Sequence, residues 1–123
     1  MAEKTKTLDI LGISYEVVWS DYNDEPYFKD HECDGFCDDL AHRIVICNAK
    51  SHPVYSEETD EYCKKAERLV LRHEIIHAFL SESGLSDSSG VIGIGWAKNE
   101  EMVDWIAIQF PKILRIYREA DCI

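Results

Sequence analysis

Residues 73–77 read His-Glu-Ile-Ile-His, inside a stretch from about Ser56 to Ser83 that is patterned as one long helix. No other feature constrains the fold as tightly. Side chains four apart on an α-helix stand one above the other. His73 and His77 can therefore aim their imidazoles at one point, with Glu74 displaced around the helix beside them. Such a helix must serve two surfaces: an apolar side that enters a core, and a polar side that meets another segment. Ser56, Glu57 and Glu58 give it an acidic start. Ala66, Leu69, Ile76 and Leu80 form the apolar side, and Gly84 is the stop.

The partner segment is predicted from about Asn99, where Asn-Glu-Glu-Met-Val-Asp opens a second helix 23 residues beyond His77. Its stripe is Met102, Val103, Ile106, Phe110 and Ile113, spaced three and four apart. Pro111 lies inside that pattern and should kink the helix or split it in two. Two imidazoles and one carboxylate form a donor set for zinc that keeps a position open for water, with the motif's glutamate as general base. Glu100 is the favoured third ligand and Glu101 its rival. Asp104, four residues from Glu100, is placed to accept the free N–H of a ligand histidine.

Ahead of these helices, Thr7–Trp19 holds two β-prone runs broken at Gly12, a strand or hairpin with one buried face. Residues 20–42 are polar and rich in turn formers, and read as a long loop with room for a short edge strand. Arg43–Asn48 is a short apolar run that fits a buried strand; placed at a sheet edge beside the metal, it could pair with an extended peptide. Residues 84–98, with Gly84, Ser88, Gly90, Gly93 and Gly95, read as the loop between the two helices. Cys33 and Cys37, with His31 and His42 nearby, could be imagined as a second metal site. Their spacing is not that of a zinc knuckle, so free thiols are the reading adopted. Tyr22, Tyr27, Tyr117, His31 and His42 could stabilise an oxyanion, but surface or core packing is the reading adopted for each.

The 123 residues allow one domain, 1–123, and 46% hydrophobic content gives it a small core. A net charge of −11 without a basic patch argues against nucleic acid. No apolar run of membrane-spanning length and no secretory leader is present, and five irregularly spaced cysteines suit a reducing cytoplasm.

The strings HEIIHAFLSESGL (73–85) and NEEMVDWIA (99–107) resemble small phage and prophage HExxH proteins, in the style of the ImmA/IrrE-type metallopeptidases. The N-E-x-x-x-D pattern at 99–104 is also similar to the third-ligand helix of gluzincins. The likeness extends to the leading hairpin and the loop at 35–38. It implies an α+β, minimal zincin-like fold: a small antiparallel sheet packed on an active-site helix, with a glutamate helix alongside. It further implies His73, His77 and Glu100 as zinc ligands and Glu74 as catalytic base in peptide-bond hydrolysis. The gap to Glu100 is longer than is common in gluzincins. The third histidine of metzincins and of SprT-like proteins is missing, which sets those classes aside. The alternative is a catalytically idle zinc-binding regulatory or interaction module of phage or prophage origin. Glu74 discriminates, because a structural site has no use for an unliganded base.

Overall fold

The computed structural model describes residues 5–88 and 95–123. β1 (Thr5–Ile10) and β2 (Ile13–Ser20) form an antiparallel hairpin. It closes through Leu11-Gly12, both at positive φ (51° and 89°), as a two-residue hairpin turn of this kind requires. The Asp9 carboxylate accepts the Gly12 N–H at 2.7 Å and secures the turn. β3 (Gly35–Asp38) and β4 (Arg43–Cys47) complete a four-stranded sheet in the order β1-β2-β4-β3.

The fold is α+β, but the sheet is mixed rather than antiparallel. β4 lies parallel to β2, with Glu16–Ser20 alongside Arg43–Cys47, and antiparallel to β3. The excursion over residues 21–42 is long enough for the crossover a parallel pair needs. Nor is β4 an edge strand. Ile44 and Ile46 pack with Tyr15, Val17 and Trp19 on one face, while Val45 and Cys47 pack with Phe28 on the other. An all-apolar run is stable where both faces are covered, so it occupies the middle of the sheet and leaves β3 at the edge.

The second face is covered by α1 (Pro26–Asp30), a short helix inside the segment expected to be loop. Its Phe28 is fully buried. The first face is covered by α2 (Asp60–Glu82), which begins a turn later than its acidic residues suggest. Thr59 is the cap, its hydroxyl accepting the Tyr62 N–H at 3.1 Å, and Asp60 and Glu61 form the acidic first turn. Residues 53–58 stay in turns, held by Tyr55, whose hydroxyl donates to Asp34 at 2.9 Å. Two polar bonds fasten α2 to the sheet layer: Glu67 accepts the Ala49 N–H at 3.0 Å, and Tyr15 donates to Glu82 at 2.6 Å.

Gly84 ends the helix region at φ 82°, and a short α3 (Leu85–Ser88) follows within the expected loop. Gly90 and Gly93 of that loop lie outside the described residues. Asn99 caps α4 (Glu100–Glu119), accepting the Met102 N–H at 2.8 Å. α4 packs on the side of α2 away from the sheet through Val103, Met102, Ile76, Leu80 and Ala97. Val103 and Ala107 are buried, whereas Phe110, expected in the stripe, is 47% exposed.

α4 is not split at Pro111. Proline has no N–H, so the carbonyl of Ala107, four residues earlier, loses its helical donor. Arg72 of α2 supplies another, its Nε donating to the Ala107 oxygen at 2.7 Å. The break in one helix is thus a tie to the other. Among the described residues no helix is long and apolar enough to cross a membrane, and all five cysteines are free thiols.

Candidate functional site

α2 and α4 hold the site between them. Val103 fixes the rotation of α4: with its side chain buried against α2, Glu100 and Asp104, three behind and one ahead, are carried toward the same helix. Glu101, about 200° around from Val103, is turned to solvent. The consequence is a compact set of donors. The Nε2 atoms of His73 and His77 are 3.0 Å apart. One Glu100 oxygen lies 3.0 Å from His73 Nε2 and the other 3.1 Å from His77 Nε2. Among the described residues, no hydrogen bond or ion pair joins Glu101 to either histidine.

Behind this set, Asp104 takes the N–H of His73 Nδ1 at 2.7 Å. With the proton fixed on Nδ1, Nε2 keeps its lone pair directed at the point where His77 and Glu100 converge. Donor atoms sharing a tetrahedral zinc at about 2.0–2.1 Å lie about 3.3 Å from one another. The observed separations are close to that, and all three ligand atoms lie within 4.8 Å of each other. The donor set therefore fits zinc in both chemistry and spacing.

Glu74 stands beside the set without belonging to it. Its carboxylate comes to 3.8 Å of His73 Nε2, and the residue is only 6% exposed. It follows Val70 and precedes Ala78 by one turn each, on the line of α2 that faces the sheet. Burial pushes its pKa from 4.5 to about 7, His73 opposes the rise, and Glu100, Asp34 and Asp104 add to it. Burial also holds the pKa of the His77 imidazole below its ordinary value, against the opposing pull of Glu100, and so favours the form with a free lone pair.

The site opens into a cleft of about 1020 Å³ that runs along α2, with β3 and Tyr27 on one side and α4 on the other. Among the described residues, His73, His77 and Glu100 are the one group of histidine, cysteine and carboxylate side chains that converges. The second cluster imagined around Cys33 and Cys37 does not form. His31 stacks on Tyr27 at 3.7 Å, and His42 lies 3.7 Å from Glu82. Of the oxyanion candidates, Tyr27 and His31 line the cleft, Tyr22 packs on His52, and Tyr117 is exposed on α4.

Sequence reasoning missed Asp34 and Tyr55, which meet across the cleft, and Arg72. The first two are 21 positions apart and carry no local pattern. For Arg72 a signal existed: a proline inside a helical stripe leaves an acceptor that some donor must satisfy. Compared with protein-family models, with curated proteins and with solved structures, the chain matches none of them.

Proposed function

We propose that this chain is a zinc-dependent peptidase of minimal zincin-like build, acting on peptide segments in a cytoplasmic setting. The observation that carries the reading is the meeting of His73, His77 and Glu100 at 3.0–3.1 Å beside a buried carboxyl that ligates nothing. A structural metal site needs no such group.

His73, His77 and Glu100 would hold the ion, which when bound supplies Lewis acidity toward water and a carbonyl oxygen. The chain's own residues do the rest. Asp104 holds His73 in one tautomer and one orientation through Nδ1. Glu74 accepts a proton from the attacking water as the new C–O bond forms. It then returns that proton to the amide nitrogen as the C–N bond breaks, so the glutamate ends as it began. Burial raises the pKa of this carboxyl in the metal-free site, which strengthens it as a base. β3 pairs with β4 along one edge only, and Gly35, Phe36 and Cys37 line the cleft. An extended substrate could add to the sheet there, in the role first assigned to 43–48.

The test is metal analysis and peptide cleavage on the wild type and Glu74→Gln. Wild type should hold zinc and cut a peptide library, while Glu74→Gln holds zinc and cuts nothing. Undiminished cleavage by Glu74→Gln, or equal zinc content after His73→Ala, would overturn the proposal.

A further inference from the structure

Beyond the metal-binding residues, the cleft continues along α2 toward its N-terminus, past Val70 and Ala66 to Tyr62. This end is walled by rings. Tyr27 and Phe36 have centroids 4.1 Å apart, and Tyr55 lies 6.2 Å from Tyr62. Among them is Asp34, half-buried, with Oδ2 accepting the Tyr55 hydroxyl at 2.9 Å. Its Oδ1 accepts no hydrogen bond from the described residues. The lysine in this wall, Lys65, is matched by Glu61 on its own helix at 3.3 Å.

We infer that this end of the cleft is a specificity subsite for a lysine or arginine side chain of the substrate, with Asp34 and Tyr55 as its determinants. The inference rests on the peptidase reading of the site. Aromatic faces attract a cation through their quadrupoles and also cover the apolar stem of a long basic side chain. The open oxygen of Asp34 meets the charged head. A neutral side chain would further desolvate Asp34 and give it no countercharge. An acidic one would meet the Asp34 carboxylate with a like charge.

Gly35 sets the position of this subsite. A Cβ there would fall 2.4 Å from Val70 Cγ1, so glycine lets β3 approach α2 and draws Asp34 alongside it. Val70 is one turn from Glu74, about 6 Å along the axis. An extended peptide advances ~3.3 Å per residue. A substrate residue opposite Val70 is therefore about two positions from the bond that is cut, on the side toward the N-terminus of α2, and a long side chain is needed to reach on toward Asp34 and the rings.

The experiment uses full-length, zinc-loaded Glu74→Gln protein and short fluorescein-labelled peptides identical except for one residue: arginine, norleucine or glutamate. Anisotropy should show the arginine peptide binding about tenfold more tightly than the norleucine one, with glutamate weakest. Asp34→Asn should remove the difference. The peptide series leaves Asp34 in place, so it decides the matter even if that variant misfolds. Equal binding of the arginine and norleucine peptides overturns the subsite. Wild-type cleavage without preference for a basic residue overturns it too, and leaves the peptidase reading standing. Preferential binding of arginine without any wild-type cleavage supports the subsite and removes the peptidase reading alone.

Discussion

Glu74→Gln should make the metal-free protein more stable above neutrality, even as it removes the group proposed to handle the proton. In the unfolded chain the glutamate titrates near its ordinary 4.5; in the fold, burial lifts it to about 7. Below the lower value both states carry the proton, and pH has no effect through this group. Between the two values the folded state keeps a proton that the unfolded state has released. Stability therefore falls as pH rises, at about 1.4 kcal/mol per pH unit. Above 7 the full deficit is reached, on the order of 3 kcal/mol across that span. Because Glu74 is 6% exposed, solvent screening takes little off that figure.

Glutamine removes the charge but brings an amide into the same buried place, which costs about 1 kcal/mol. The net gain near pH 8 is then about 2 kcal/mol, or about 8 °C in Tm for a domain of this size. Near pH 5 the gain should vanish or reverse slightly. Calorimetric or urea unfolding of both proteins at the two pH values, with chelator present throughout, measures it. The decisive quantity is the difference between the two proteins, since other carboxylates affect both alike. If that difference is the same at both pH values, the carboxyl is not held protonated by burial, and the reasoning fails.

Three further outcomes are expected. Asp104→Ala should weaken zinc binding about 10–100-fold by competition with a chromophoric chelator, because His73 loses the partner that fixes its tautomer. Arg72→Met should destabilise the fold by about 1–3 kcal/mol in urea, by leaving the Ala107 carbonyl without a donor. In a Pro111→Ala background, where the helical N–H returns, the same change should cost measurably less. Gly35→Ala should cost about 1–3 kcal/mol through its clash with Val70, and Val70→Ala should recover part of that loss.

What could be seen in the sequence was what depends on short-range periodicity. The histidines four apart, the second acidic helix and the glycine-centred hairpin each follow from local spacing, and each forms where that spacing places it. Glu100 and Glu101 could not be separated on the wheel. Their difference is set by Val103 finding a slot on α2 and Asn99 capping the helix, which are facts of packing between elements. The position of β4 misled for a related reason: a short apolar run announces burial but not which strands flank it. Helix α1 was hidden because a five-residue helix shows barely one period of any pattern. Asp34 and Tyr55 meet only after β3 has packed on α2.

The bond from Arg72 to Ala107 has a bearing on how relatives of this chain could be recognised. It makes two positions 39 residues apart answer to one another: a proline at 111 needs a donor at 72, and a donor at 72 is idle once 111 has an N–H. Substitutions at the two should therefore travel together through descent, whatever happens to the surface around them. Arginine immediately before His-Glu-x-x-His, joined to a proline eleven residues after the candidate glutamate, is a compound signature that neither half supplies. It could pick out sequences sharing this helix pairing after overall likeness has faded. A collection in which the two positions varied independently would show that the bond is a feature of this one chain.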